Sequence, residues 1–512
     1  SVLFLSFCSQ KGESSLNSDK EIEIWENYAK NNQYCQYDRL PALLKRYSFD
    51  EKIRICYEYS SKILQKGNLR NPESLQGLPL PFTLETFLML SVEATEYQNR
   101  TFSDKKEHRH FFDMINAIWH HTPHKLVNLK SQDFIDWYLS LAPLTQLFYQ
   151  QNYWILYYRY HYFFTFKSEQ IDVPAHFYNC FGTYYDEFLQ CGVLLYYLIF
   201  SGKPLPQDEI QNLLTSKFNT VTAKLSISRT EYVKLQRQAL ENQTVDEYIF
   251  SLRPSYTYAF IKHANRYFFP LPHLLPRNIT SSLYYRLTEG NDTLRSLLGK
   301  NVIEQYVFEI VQQTHCYTDV RREIAYLGPR RTHAQSPDII ARHGNSILLL
   351  ECKSTVPGIG MRTISDKTYC KTKKQLAKQI VQLYKSIQHF AQYNPYDDLK
   401  VTKDDIWGCV ILLEYPYIRR ENIYPQAFDS LDILESSEET TWIMHHIKII
   451  DLYQLEVLCF CSNSIIDAIK KTNSTGEITA IPLEVPGELQ LANPAFLQFR
   501  ASVIEQIKKA IA

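Results

Sequence analysis

The chain has 512 residues, enough for two or more separately cored domains. Lysine plus arginine and aspartate plus glutamate stand at 55 each, so no global charge draws it to a polyanion and any such contact must come from a local patch. Hydrophobic residues at 45% and charged residues at 21% exclude a disordered chain. The 11 cysteines form no CxxC pair, which fits a reducing, cytoplasmic setting better than a structural zinc site or disulfide scaffold.

The opening run SVLFLSFC has no basic residue before it, and GVLLYYLIF at 192–200 is too short for a bilayer. Neither a signal peptide nor a transmembrane segment is expected, and no membrane partner. Residues 1–290 read as a mainly helical domain. IEIWENYAK (22–30), FDEKIRICYEYSSKIL (49–64), LETFLMLSVEATEY (84–97), HFFDMINAIWHH (110–121) and YDEFLQCGVLLYYLIF (185–200) repeat apolar residues at three- and four-residue steps. The aromatic run YWILYYRYHYFFTF (153–166) could stack bases, but packing inside a helical domain is favoured. The histidines at 108, 110, 120, 121 and 124 have no ligand spacing and read as packing or surface residues rather than a zinc site.

A proline-rich, then polar stretch at 268–292 marks the expected linker, and residues 291–512 change pattern to helix, extended segments, helix and strand. KNVIEQYVFEIVQQT (300–314) is a helix with Ile303, Val307 and Ile310 on one face and Glu304 on a stripe with Phe308 and Val311. TDVRREIAY (318–326) is a strand. SPDIIARHGNSILLLECKST (336–355) is a hairpin turning at Gly344 and Asn345, the residue types two-residue turns favour.

That turn pairs residues whose numbers sum to 689, which sets Asp338 opposite Glu351 and puts Lys353 on the same face. Facing carboxylates in apolar surroundings repel, and a divalent cation offsets that cost. An ordinary surface ion cluster accounts for the same three residues. KKQLAKQIVQLYKSIQHF (373–390) is an amphipathic helix through Leu376, Ile380, Leu383, Ile387 and Phe390, and IWGCVILLEY (406–415) is a buried strand. HHIKIIDLYQLEVLCF (445–460) adds a peripheral strand and short helix, with NSIIDAIKK and PAFLQFRASVIEQIKKAIA closing the scaffold.

Pro337-Asp338 followed by Glu351-Cys352-Lys353 resembles the signature of the PD-(D/E)xK nuclease superfamily, and the surrounding elements follow that family's α-β-β-β-α-β order. The resemblance spans roughly 295–460. It implies a multidomain chain with a C-terminal restriction-endonuclease-like α/β domain, a central mixed sheet flanked by helices. It further implies that Asp338, Glu351 and the Cys352 carbonyl hold Mg²⁺ or Mn²⁺. Lys353 would position the attacking water or stabilise developing charge. Glu304 matches the additional acid some members carry on the first helix, and Gln379 the polar residue of the second helix, with Gln375 competing.

Arg362, Lys367, Lys371, Lys373, Lys374 and Lys378 form a local basic excess suited to a nucleic-acid backbone. Arg321, Arg322, Arg330 and Arg331 could extend it. By analogy of architecture, the whole is a metal-dependent endonuclease of prokaryotic antiviral defence or restriction, with DNA favoured over RNA. The helical domain would serve recognition, regulation or binding of a protein partner or activator, and a homo-oligomer would supply paired sites for double-strand cuts. The competing readings are an inactive nuclease-fold subunit that binds nucleic acid or a partner, and a helical interaction module with a structural α/β appendage.

Overall fold

The computed structural model describes residues 36–66, 77–121, 136, 140, 151–200, 206–239, 254–327, 333–357, 361, 365–393, 396, 399–434, 437–475 and 491–511. The expected helix at 22–30 and the residues Arg330, Arg331 and Arg362 lie outside them. The chain divides into two compact units, Ser1–Tyr153 with Ala175–Leu287 and Arg362–Ile364, and Trp154–Pro174 with Thr288–Met361 and Ser365–Ala512. It is α-rich and multidomain, with an α/β part in the second unit. Among the described residues no single helix is long and apolar enough to cross a membrane.

The first unit is built from helices including Phe49–Lys66, Pro81–Glu93, Lys105–Trp119 and Tyr185–Phe200. Pro81 opens its helix at the first turn, where its missing N–H costs no hydrogen bond. That helix is buried on nearly every side, so its internal acid needs partners. Glu85 accepts from Tyr256 at 2.7 Å and meets His273 Nε2 at 3.1 Å, while His273 Nδ1 lies 2.7 Å from Ser60 Oγ. The histidines around 108–121 are taken up by packing: His108 meets the Tyr59 hydroxyl at 2.7 Å, His110 meets Glu107 at 3.2 Å, and His121 stacks on Tyr37. A small sheet of Ser226–Ser228, Phe260–His263 and Arg266–Phe268 was not foreseen. Its hairpin turns at Ala264 and Asn265, both left-handed, without the glycine that would have announced it.

The second unit begins with a helix that sequence periodicity alone assigns to the first. Helix α1 (Tyr153–Thr165) buries Tyr157, Tyr160, Phe163 and Phe164, so this aromatic run is core rather than a stacking platform. Its Arg159 is buried and donates from Nε to Glu456 at 2.7 Å, and Tyr306 donates to the same carboxylate at 2.7 Å.

Helix α2 (Glu304–Gln312) carries that tyrosine and leads into a sheet of five strands: β1 (Asp319–Arg322), β2 (Ile339–His343), β3 (Ser346–Lys353), β4 (Ile406–Leu412) and β5 (Ile447–Asp451). Their order is β5-β4-β3-β2-β1. β2 is antiparallel to both β1 and β3, and β3, β4 and β5 are parallel. A separate two-stranded hairpin, Ala325–Leu327 with His333–Gln335, stands between β1 and β2, so the strand expected over 318–326 is broken at Glu323 and Ile324.

The β2–β3 register is Ile339 to Leu350, the sum expected from the turn. Only Gly344 takes a positive φ, at 62°, so the turn has the pattern of type II′, with glycine first, rather than two left-handed residues. Helix α3 (Asp366–Gln392) makes the crossover from β3 to β4 and starts at Ser365, whose side chain accepts from the Thr368 N–H. Its apolar face lies on β4, where Gly408 admits it: a Cβ at that position would stand 2.9 Å from Ile387 and 3.0 Å from Leu383. Helix α4 (Leu452–Phe460) follows β5 directly, capped by Asp451 and Gln454 in a reciprocal capping box.

Candidate active site

The candidate site lies where the sheet loses one neighbour. β3 is paired on both sides as far as Leu350, but its last three residues, Glu351, Cys352 and Lys353, have only β4 beside them. The next residues on the β2 side are Asp338 and Pro337. Lys353 O accepts from Leu413 N–H at 3.1 Å and so faces β4, and alternation turns the Cys352 peptide groups toward the opposite edge. Proline there brings no N–H for the Cys352 carbonyl. The Cys352 N–H donates to Asp338 Oδ2 at 2.6 Å, so the aspartate side chain completes a ladder that the main chain has left.

Glu351 and Lys353 share one face, as strand alternation demands, with Lys353 Nζ donating to Glu351 Oε1 at 2.5 Å. Burial works against the Lys353 charge, but the hydrogen bond it donates to Glu351 and the charges of Glu351 and Asp338 outweigh it and hold the ammonium above its usual range. Asp338 is pushed up to about 6, first by burial and then by the charge of Glu351, against the pull of the Cys352 N–H and of Lys353. Asp338 thus feels the charge of Glu351, whose own side chain is buried.

Glu304 reaches the same neighbourhood from the start of α2. Its carboxyl is pushed up to about 7 by burial and by Asp338, with Arg322 and Lys300 opposing. Arg322 Nη2 stands 3.9 Å from Glu304, and its Nη1 donates to Gln305 Oε1 at 2.5 Å. Gln305 in turn donates to Glu309 at 2.7 Å, and Tyr162 of α1 donates to the same glutamate at 2.8 Å. The polar stripe of α2 therefore braces the arginine beside Glu304. A π-helical turn, Leu298–Ile303, precedes Glu304, and Gly299 within it passes close enough that a Cβ would stand 3.2 Å from Ser354 Oγ, just past Lys353.

Gln382, not Gln379 or Gln375, is the α3 glutamine that touches the site, donating to Glu351 Oε1 at 3.1 Å. Gln379 is buried with its Oε1 unpartnered. The three glutamines follow one flank of the helix at steps of four and three, so periodicity identified the flank. Which turn meets β3 depends on how far the crossover carries the helix, and periodicity does not contain that distance. Glu323, just beyond β1, also went unforeseen; its charge raises both Asp338 and Glu304.

Of the expected basic residues, Lys367, Lys371, Lys374 and Lys378 are exposed on α3, whereas Lys373 turns away from them toward the Tyr369 ring. Arg321 pairs with Asp319 at 2.6 Å and lies over Tyr396.

Among the described residues no group of three or more His, Cys, Asp and Glu side chains is placed to hold a metal ion. The donors at hand are two carboxylates and a main-chain carbonyl. All are hard oxygen ligands, and Mg²⁺ characteristically completes its shell with water, so in donor chemistry this set fits it. Comparison with protein-family models, curated proteins and solved structures finds no match to the chain.

Proposed function

We propose that the second unit is a restriction-endonuclease-like, PD-(D/E)xK-type nuclease that hydrolyses phosphodiester bonds with Mg²⁺ or Mn²⁺, favouring DNA over RNA. One observation carries this reading. At the open end of β3, Asp338 sits on the Cys352 N–H within reach of the charge of buried Glu351, and Lys353 lies against Glu351. The order α2, three antiparallel strands, α3 and a parallel strand supports it as the expected core.

Asp338, Glu351 and the Cys352 carbonyl would hold the cation. Once bound, such a cation acidifies a water and neutralises charge on the phosphate. Lys353 carries its proton throughout the neutral range and donates at the position where charge develops on a phosphoryl oxygen or an attacking water. Gln382 orients Glu351, and the Cys352 N–H fixes Asp338 so that neither carboxylate must reorganise. Glu304 and its arginine stand one step outward, where they can orient a water or a leaving oxygen.

A defence or restriction role, with the first unit recognising a trigger, partner or nucleic acid, follows only from likeness of architecture. The test is incubation of the full chain with plasmid, single-stranded DNA and RNA in Mg²⁺ or Mn²⁺. Cleavage is expected from the wild type and not from Glu351→Ala or Lys353→Ala. Equal cleavage by all three, or none by any under every metal, would overturn the reading.

A further inference from the structure

Helix α3 has three surfaces with assigned work and one without. Its apolar face is on β4, Tyr369 and Tyr384 bond Asn422 and Glu439, and Gln382 and His389, at the edge of the outward side, meet the site and the small hairpin. The remaining face points away from the sheet. Lys367, Lys371, Lys374, Lys378 and Lys385 lie on it, all exposed and within about 60° of one another around the axis. They extend along about 27 Å of helix. Asp366 is the helix's one acid, and it lies well outside the stripe.

Among the described residues none of the five lysines pairs with a carboxylate, although 55 acids are available in the chain. A row of unpaired ammonium groups this long repels itself and weakens the helix, since like charges at four-residue spacing are unfavourable. A matching row of negative charge would relieve that repulsion.

We propose that this face of α3 is a docking surface for the sugar-phosphate backbone of a nucleic acid, laid beside the site so that a strand held on the lysines is delivered to Glu351 and Lys353. The inference rests on the nuclease reading and gives its substrate a path. Charge geometry favours a linear polyanion over a compact anionic ligand, because the lysines are strung out rather than converging. A lipid surface is disfavoured because the apolar face of α3 is already buried on the sheet and cannot enter a bilayer. Lys385, which the sequence reading did not include, belongs to the surface, and Lys373 does not.

The test uses the full chain in EDTA, so that binding is read without metal-dependent cleavage. Anisotropy of a labelled duplex, a labelled single strand and a labelled RNA is titrated at several salt concentrations. The wild type is compared with a variant carrying Lys→Gln at 367, 371, 374, 378 and 385, and with Lys373→Gln. The quintuple variant should bind at least about 10-fold more weakly near physiological salt, with its log–log salt slope reduced by about 0.9 for each lysine that met a duplex phosphate. Lys373→Gln should leave both unchanged, and Lys→Arg at the five positions should restore binding.

Unaltered affinity and slope in a quintuple variant that keeps the wild-type circular dichroism would overturn the proposal even if cleavage is intact. So would loss of binding to phosphatidylserine vesicles with nucleic-acid binding preserved. Lysine-dependent binding without metal-dependent cleavage would instead retain the surface and remove the nuclease.

Discussion

Neutralising Asp338 should make the protein more stable while removing a ligand of the proposed cation site. Its carboxyl is lifted from 3.8 to about 6 in the fold. A raised acid binds its proton more tightly when folded, so stability is lost as pH rises from the unfolded value through the folded one. At about pH 7.5 that difference corresponds to about 3 kcal/mol, of which about 1 is already lost at about pH 4.5. Solvent screening of the part-exposed side chain trims the total to about 2 kcal/mol. Asp338→Asn keeps an acceptor for the Cys352 N–H and removes the titration. Urea unfolding of the second unit's transition in EDTA should show the variant more stable by about 1–2 kcal/mol near neutrality, and by less in acid. Added Mg²⁺ should stabilise the wild type and leave the variant unmoved. A variant no more stable than wild type at neutral pH, or a gain that fails to shrink in acid, would refute the claim that repulsion and burial strain this carboxylate.

Gln382→Ala should lower the cleavage rate by about 10-fold with little change in stability, because it frees Glu351 to reorient; Gln379→Ala should not act this way, and rates of the two variants decide. Gly408→Ala should destabilise by about 1–3 kcal/mol, read by thermal unfolding, since the new Cβ meets Leu383 and Ile387 at the helix-to-sheet contact. Glu456→Gln leaves Arg159 buried without its counter-charge and should cost about 3–5 kcal/mol, whereas Arg159→Met combined with Glu456→Leu should recover most of it in the same denaturation assay.

The hairpin was legible because its determinants are local. Gly344 sets the turn, the turn sets the sum of paired numbers, and alternation then places Glu351 and Lys353 together. The long helix was legible because a strict apolar repeat admits one face. What escaped depends on distance through space. The aromatic helix 153–165 reads as helical wherever it packs, and its place in the second unit is fixed by Glu456, nearly three hundred residues away in sequence. Gln382 and Lys385 required the axial position of α3. Asp338 lies just before β2 rather than within it, so its carboxylate accepts the Cys352 N–H in line with the ladder instead of standing across from Glu351 as a second ligand of equal orientation.

That last difference explains why the site sits where it does. A strand flanked on both sides has every peptide group committed, and an acid within it can offer only its side chain. β3 changes partners at its end: its antiparallel neighbour stops at Ile339 while its parallel neighbour continues through Leu412. Proline at 337 keeps the antiparallel edge from extending by supplying no donor, and Asp338 can take the Cys352 N–H only because the main chain has turned away. The Cys352 carbonyl, by strand alternation, is turned to that same open edge. The crossover from β3 to its parallel neighbour β4 carries α3 across the sheet, with Gln382 at Glu351 and the lysine face turned outward. Carboxylates, carbonyl, ammonium and basic surface thus follow from one topological fact, that the middle strand is antiparallel to one neighbour and parallel to the other.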